Sequence, residues 1–591
     1  MTVRDLVASP YALRDYAFIA DGERGALVGP DGGIAWLCFP GWADPAVAAG
    51  LLGSGGRYEV GPAGRWVPGG AYEDGTLIWR NRWVTDQGIM ECREAFCCPG
   101  TPDRAVVLRQ VAALDGRHRV RAVLGLAGDY GRRPLDRWRR EGDAWVAEGA
   151  GLVVRWSGAE GAVAGRRKAD RGHLVLELDL DPGERRDLVL ELAAGTLSDA
   201  ALPDAVPSPQ ACWWQTEQYW QSAVPDCADT VAPRDAQHSI AVLRGLTSAS
   251  GGTVAAATMS LPERAEAGRN YDYRYSWLRD TCCVGRVGAV VKGAEAVLDG
   301  AVRWTTARLL DGGPDAMPAY RVDGCPIPTE MPLDLPGYPG GFDVLGNRAR
   351  DQFQLDVFGE ALVLLADAAA ADRLDADGWE AAAVAVAAVE GRWTEPDAGV
   401  WETDRNCWTQ SRLMCVAGLN AIAAAGPPAG WASRVLPLAD RILADTDRSS
   451  LHPTGRWQRA PDDDRVDGAL LLPELRGALP SDDPRSVATR EAVARDLGED
   501  GYLYRYAHPG RPLAEAEGAF LICNFWMALA CLRSGNAVEG ARWFERTRGS
   551  CGPAELYSEE FDIRQRQMRG NVPQAFVHAA LLEASVAAEW P

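Results

Sequence analysis

The sequence has few histidines and no cysteines at the spacing of metal ligands, which argues against a structural metal site. Only six histidines occur among 591 residues, none of them clustered with cysteine, and the fourteen cysteines include no CxxC spacing. Structural zinc sites are built from such spacings. We therefore expect no bound metal, and we interpret the cysteines, including the adjacent pairs Cys97-Cys98 and Cys282-Cys283, as buried free thiols.

An excess of basic charge and a long apolar run are also missing. The formal net charge is -21, from 82 acidic and 61 basic residues spread along the chain, and such a surface repels nucleic acid and anionic lipid headgroups. The longest apolar run, 520–532, contains Asn524 and is too short to cross a bilayer. The first residues lack the pattern of a signal peptide. We expect a cytoplasmic protein that binds neither nucleic acid nor membrane; its oligomeric state is left open.

Nucleotide-binding fingerprints are absent as well. The glycine-rich stretches GSGG (53–56) and PGGFDVLGN (339–347) match neither GxxxxGK[ST] nor GxGxxG between a strand and a helix. Both are predicted to be loops, and no cofactor is expected.

Two halves with different periodicity are present instead. A chain of 591 residues is longer than one hydrophobic core usually supports, so at least two domains are expected. From about 25 to 200, short alternating runs surround glycine-containing turns, as at 27–37, 82–96 and 174–192. In the last run, Leu174, Leu176, Leu178 and Leu180 share one face, which predicts a half-buried antiparallel strand.

After about residue 230 the apolar pattern follows the helical period. Helices are predicted over 352–370, 377–392, 411–424, 432–444, 519–534, 537–547 and 573–588. Strands and helices do not alternate, which disfavours doubly wound and β/α-barrel folds, and no fixed repeat period supports an open solenoid. A closed helical toroid fits best, with a helix over 208–225 leaving the β domain. The predicted boundaries are 1–205 for the β domain, 206–230 for the linker helix and 231–591 for the helical domain.

The densest chemistry lies in RNYDYRYSWLRD (269–280), which combines four aromatic residues with two aspartates and three arginines. Guanidinium, carboxylate and aromatic groups together suit the hydroxyls and the C–H face of a sugar ring. A structural Arg–Asp network at a helix N-terminus is the alternative interpretation.

This segment, together with GVWE (399–402), LYSEEFD (556–562), GNVPQAFVHAAL (570–581) and the N-terminal stretch from Tyr11, resembles glycoside hydrolase family 15. That family contains glucoamylases, glucodextranases, isomaltose glucohydrolases and bacterial trehalases. The similarity runs over about residues 11–586. It implies an N-terminal antiparallel β-sandwich followed by an (α/α)6 barrel, in agreement with the change of period.

The resemblance also implies the site. Glu402 corresponds to the general acid and Glu559 to the general base of an inverting hydrolase, in which a water lies between two carboxyl groups about 6.5–9.5 Å apart. We expect Val400, Trp401 and Trp408 to give Glu402 partly apolar surroundings that keep it protonated, and Glu559 to be ionised and hydrated among polar neighbours. The substrate-binding residues implied by the family motifs are Arg279, Asp280, Tyr273, Trp277, Trp401, Arg505, Glu517 and Phe576. Asn347, in the loop at the rim, is a further expected contact of the leaving group.

Two positions depart from the family patterns. Thr403 stands where fungal glucoamylases have a second glutamate, and Gln410 stands where many bacterial relatives have histidine.

The predicted function is an inverting, exo-acting α-glucoside hydrolase that releases β-glucose from short α-1,6- or α-1,4-linked gluco-oligosaccharides. Trehalose hydrolysis is the first alternative, and a non-hydrolytic sugar-binding or recruited homologue is the second.

Overall fold

The structure of the protein is a computed structural model. It describes residues 9–135, 137–165, 172–197, 202, 208–264 and 269–587. The predicted fold class is confirmed: antiparallel sheets fill the N-terminal part of the chain, and paired helices fill the rest.

Three antiparallel sheets dominate the described N-terminal part. The first has the strand order Ala17–Ala20, Gly25–Val28, Ile34–Cys38, Ala46–Ala48. The second has the order Val163–Ala164, Leu174–Leu180, His118–Gly125, Arg57–Pro62. The largest has the order Arg139–Glu141, Ala144–Gly149, Leu152–Ser157, Arg185–Ala194, Arg104–Ala113, Gly88–Phe96, Trp79–Thr85, Trp66–Tyr72.

The second and third sheets pack face to face through aromatic side chains. Tyr58 of the second sheet meets Trp156 of the third edge to face, with ring centroids 6.1 Å apart, and the guanidinium of Arg109 lies 4.2 Å from the Tyr58 ring. The predicted half-buried strand is Leu174–Leu180, in which Leu174, Leu176 and Leu180 are buried and Glu177 is exposed. The period of two therefore placed the core face correctly.

The predicted linker helix is Pro209–Ala223. It begins where Ser208 accepts a hydrogen bond from the backbone N–H of Ala211 and where a proline occupies the first turn, two features that favour a helix start.

Six helical segments of the described chain form a closed inner ring, in which each contacts the next and the last contacts the first. They are Leu278–Val290, Asp356–Ala370, Thr409–Ala424, Leu472–Leu475, Leu521–Arg533 and Ala575–Ala587. Five outer helices pack on inner helices: Glu295–Gly312, Ala376–Arg392, Trp431–Ser450, Ala537–Arg548 and Pro233–Leu246. The sixth, Pro484–Leu497, contacts the 3-10 turn Gly468–Leu471 that leads into Leu472–Leu475. This arrangement is the predicted toroid.

One predicted helix start is wrong. The run 352–370 becomes helical only at Asp356, so Gln352 and Gln354 lie in the segment before the helix. No helix of the described residues has the length and apolarity that a membrane span needs. The fourteen cysteines are free, and most are buried.

Candidate active site

A cavity opens at one end of the helical ring and contains about 860 Å³ of space, its open mouth included. Nine of the ten catalytic and substrate-binding residues implied by the family motifs lie on its wall: Tyr273, Trp277, Arg279, Asp280, Trp401, Glu402, Arg505, Glu559 and Phe576. Each of the residues on the wall lies at position 255 or later. The cavity therefore belongs to the helical domain, in the size range of small-molecule sites.

Glu402 reaches the cavity from a tight turn that precedes the helix Thr409–Ala424. Its φ angle is 54°, in the left-handed region that a non-glycine residue rarely adopts, and such strain concentrates at functional sites. Its Oε1 accepts hydrogen bonds from Trp277 Nε1 at 2.6 Å and from Gln354 Nε2 at 3.1 Å. The carboxyl group is thus fixed by two neutral donors.

The partly apolar surroundings expected for Glu402 are present only in part: Val400 and Trp401 line the same cavity, but Trp408 does not. Besides its two donors, Oε1 lies 3.5 Å from Arg279 Nη2, so its immediate partners are polar. Trp408 does not face this cavity; it lines a smaller space with Gln410, Arg459 and Asp467. The sequence neighbours did not indicate the polar contacts of Glu402, because these contacts come from distant segments.

Arg279 faces three carboxyl groups at the first turn of the helix Leu278–Val290. Its nitrogens lie 3.3 Å from Asp356 Oδ2, 3.5 Å from Glu402 Oε1 and 3.9 Å from Asp280 Oδ1. Burial raises the pKa of Asp280 to about 7, against the opposing effect of Arg279. The charges of Glu402 and Asp356 add to this rise in the pKa of Asp280.

Glu559 lies directly before the strand Glu560–Asp562, which is the central strand of a three-stranded sheet. We expected it to be hydrated, but it is only 4 % exposed. Burial and then the charge of Glu263 raise the pKa of Glu559 well above its ordinary value, while Arg505 and the hydrogen bond from Tyr273 lower it. The polar sequence neighbours did not predict this environment because the strand carries Glu559 into the interior.

One extended segment holds both glutamates. The Tyr273 hydroxyl donates to Glu559, with Oε1 and Oε2 at 3.2 and 3.1 Å, and Trp277, four residues later, donates to Glu402. The two rings contact each other edge to face, with centroids 5.7 Å apart. The positions of the two carboxyl groups are therefore coupled through a single aromatic pair.

Other predicted residues divide between the wall and the space behind it. Trp401 donates from Nε1 to Asp467 at 2.6 Å, and Phe576 stacks against Phe520 with centroids 6.4 Å apart. Arg505 lies on the wall, but Glu517 lies behind it, 1 % exposed, and accepts from Arg505 Nε at 2.9 Å. Glu517 thus holds Arg505 instead of facing the cavity.

A second, more open chamber adjoins the first and shares five wall residues with it: Arg269, Tyr271, Arg348, Trp401 and Glu402. Thr403 lies on the wall of this outer chamber. Asn347 lines the inner cavity, but its Oδ1 accepts from the backbone of Ala349 and its Nδ2 donates to the carbonyl of Asp272. Asn347 is therefore already engaged within the protein.

Sequence reasoning missed several residues of the site. Gln354 was assigned to a helix, although its amide contacts Glu402, and Tyr271 and Arg348 were not singled out. Tyr271 could have been found from its spacing, because it stands two residues before Tyr273 and the two rings stack with centroids 6.0 Å apart.

The N-terminal sheets contact the site-bearing segment from behind. Arg274 is fully buried; Nη1 donates to the carbonyls of Asp44 at 3.0 Å and Trp42 at 3.3 Å, and Nη2 bonds Asp272 Oδ2 at 2.7 Å. The Trp36 indole donates to the carbonyl of Ala257 at 3.0 Å. The β domain therefore supports the wall without forming part of it.

Comparison with known proteins identifies the class: the chain is a glycoside hydrolase. Residues 236–586 match the model of glycosyl hydrolases family 15, and residues 8–220 match the model of the trehalase-like N-terminal domain. The chain belongs to glycosyl hydrolases family 15, and the resemblance inferred from its motifs is confirmed.

Individual relatives cover nearly the whole chain. It is 30% identical to a trehalase of Mycolicibacterium smegmatis, over 97% of this chain and 91% of that protein. It is 29% identical to a trehalase of Mycobacterium tuberculosis, over 97% of this chain and 89% of that protein. A bacterial glucoamylase in complex with acarbose has a similar fold, with a TM-score of 0.66, 12% identity, and coverage of 98% of this chain and 97% of that chain.

Proposed function

We propose that the protein hydrolyses the glycosidic bond of trehalose with inversion, using Glu402 as the general acid and Glu559 as the general base. The observation that carries the proposal is the presence of both carboxyl groups on the wall of one sugar-sized cavity, each held by an aromatic donor. In an inverting hydrolase one carboxyl protonates the leaving oxygen and the other activates water on the opposite face of the sugar.

The positions of the two carboxyl groups suit these two roles. Glu402 stands where the inner and the outer chamber meet, so its proton can reach an oxygen that joins a sugar in each. Glu559 lines only the inner chamber, where a water held by it would attack the cleaved glucose. Arg279 and Asp280 would bind hydroxyls of that glucose, and Phe576 would contact its ring.

Trehalose is favoured over the isomaltose-type substrates that motif comparison placed first. Two relatives that align with 97% of this chain carry the name trehalase, and the N-terminal region matches a trehalase-like domain. The outer chamber, with Tyr271 and Thr403 on its wall, offers space for the one leaving glucose that trehalose, maltose and isomaltose share, so the preference for trehalose rests on the relatives.

Initial rates on trehalose, maltose, isomaltose and panose test the substrate. The highest kcat/KM is expected for trehalose, and a kcat/KM at least tenfold higher for isomaltose or maltose would reject this assignment.

Proton NMR of the first products tests the stereochemistry separately. Inversion converts the cleaved glucose of trehalose to the β anomer and releases the other as the α anomer, so the two should appear in equal amounts. Two α anomers would indicate retention and would exclude Glu559 as a base acting on water.

A further inference from the structure

Gln354 lies behind the carboxyl group of Glu402 and is only 1 % exposed. It is not on the wall of either chamber, so it would not contact a bound sugar. Its Nε2 donates to Glu402 Oε1 at 3.1 Å and to Gln352 Oε1 at 2.9 Å. Its own Oε1 accepts from Arg279 Nη1 at 2.7 Å. Both ends of this amide are therefore engaged within the protein.

Arg279 determines which way the Gln354 amide points. A guanidinium group has N–H donors and no acceptor, so the amide atom that faces it must be the carbonyl oxygen. The NH2 group then points in the other direction, toward Gln352 and Glu402. Turning the amide by 180° would place N–H groups against N–H groups. Gln354 is therefore a hydrogen-bond donor to Glu402.

Three donors converge on one oxygen of Glu402. Besides Gln354, Trp277 donates from Nε1 to Oε1 at 2.6 Å, and Arg279 Nη2 lies 3.5 Å from Oε1. An indole N–H, a guanidinium group and an amide NH2 cannot accept a hydrogen bond. A proton on Oε1 would thus face only other N–H groups. The hydrogen bonds that the described residues make to this carboxyl end on Oε1, so Oε2 is the oxygen on which a proton meets no opposing donor.

The backbone holds Gln354 at this place. The N–H of Ala398 donates to the carbonyl of Phe353 at 2.8 Å, directly before Gln354 in the chain and four residues before Glu402. The segment of Gln354 and the turn of Glu402 are therefore joined twice, once through the backbone and once through the side chains. This double connection limits the movement of the carboxyl group relative to its donor.

We propose that Gln354 is a positioning residue for the hydrolysis: by donating to Oε1 of Glu402, it keeps the acidic proton on Oε2, where it can reach the glycosidic oxygen. The inference rests on the proposed role of Glu402 as the general acid. As the glycosidic C–O bond breaks, its electron pair goes to the leaving oxygen, which takes the proton from Oε2. The same donors on Oε1 then stabilise the carboxylate that remains.

The test is Gln354→Glu, which keeps the size of the side chain and an acceptor for Arg279 but turns the donor that faces Glu402 into an acceptor. The proton of Glu402 would then be held on Oε1, between the two carboxyl groups. The kcat/KM on trehalose should fall about 10-fold or more. The rate on α-D-glucosyl fluoride, whose leaving group needs no proton, should fall much less. A general distortion of the site would lower both rates alike.

Combination with Glu402→Gln isolates the contact between the two side chains. The amide that replaces the carboxyl has no acidic proton to place, so Gln354→Glu should cost far less on trehalose in that background than in the wild type. Equal costs in the two backgrounds would overturn the positioning role. Gln354→Met has no N–H donor and should give the same difference between the two substrates; it is the second variant if Gln354→Glu does not fold.

Gln458→Glu is the matched control. Gln458 is also buried, and its Nε2 donates to the carbonyls of Ala460 at 2.8 Å and Pro461 at 3.3 Å, away from both chambers. Its replacement should leave the ratio of the two rates unchanged. Equal losses on trehalose and the fluoride in Gln354→Glu, or no loss on trehalose, would contradict the inference.

A neutron structure of the deuterated wild-type protein separates this inference from the proposed function. The two deuterons of the Gln354 amide should point to Gln352 and Glu402, and a deuteron on Glu402 should be bound to Oε2. An amide oxygen facing Glu402, or a deuteron on Oε1, would overturn the inference. If the wild-type protein cleaves none of the sugars, the proposed function fails, while the neutron structure still decides how the amide and the carboxyl are arranged.

Discussion

Replacing Glu402 with glutamine gives the sharpest test of the two catalytic assignments. The amide oxygen can still accept from Trp277 and Gln354, so the turn and the surrounding wall should be retained. The variant loses the proton that would reach the glycosidic oxygen. General acid catalysis contributes about 10²- to 10⁴-fold, which corresponds to about 3–5 kcal/mol of the barrier.

The assay compares two substrates that differ in their need for that proton. Trehalose has a sugar alkoxide as its leaving group, whereas α-D-glucosyl fluoride releases fluoride without protonation. In Glu402→Gln, kcat/KM on trehalose should fall by about 10²- to 10⁴-fold, and the rate on the fluoride should fall much less. In Glu559→Gln, both substrates should lose activity because both need the attacking water.

The control is Glu380→Gln, which removes the same charge from the exposed side of the outer helix Ala376–Arg392. It should leave both rates unchanged. Equal losses on trehalose and the fluoride in Glu402→Gln, with the thermal unfolding midpoint preserved, would refute Glu402 as the acid.

Two further predictions concern the segment that holds the two glutamates. Tyr273→Phe removes the hydrogen bond that lowers the pKa of Glu559, so the acidic limb of kcat/KM should move to higher pH and kcat should fall about 10-fold or more; an unmoved limb would contradict the contact. Arg274→Ala leaves Asp272 buried without its cation and should lower the free energy of unfolding by about 3–5 kcal/mol, measured by thermal or denaturant unfolding. The exposed pair Arg373–Asp299 is the control, since Arg373→Ala should lower the free energy of unfolding far less than Arg274→Ala, and equal effects of the two changes would refute the argument for Arg274.

The fold followed from the sequence because its signals are local. The period of two in 174–180 and the helical period in 377–392 depend on neighbouring residues, and the structure has these elements within one or two residues. The linker helix was similarly marked by Ser208 and Pro209 at its start. The motifs then indicated which loops meet at the cavity.

The environments of the site residues could not be predicted from the sequence, because residues from distant segments of the chain form them. Glu559 has polar sequence neighbours, yet the strand that follows it carries it beside Glu263, 296 positions earlier in the chain. Glu517 was expected to bind substrate, but it lies behind Arg505, and nothing local indicates that it faces away from the cavity. Gln354 was assigned to the helix, and its contact with Glu402 was missed, because an apolar helical pattern begins one residue after it.

Extended backbone sends neighbouring side chains to opposite sides, and the stretch from Tyr271 to Arg274 uses this property to join two domains. Tyr271 and Tyr273 line the inner cavity, whereas Arg274 donates hydrogen bonds to the carbonyls of Trp42 and Asp44. Because Arg274 and Tyr273 are adjacent in the chain, any shift of the β domain would move the Tyr273 hydroxyl that donates to Glu559. Substitutions in the β domain, far from the substrate, can therefore change the reaction rate. If the helical barrel were fused to a different N-terminal domain, the position of Tyr273 would depend on how that domain packs against Arg274.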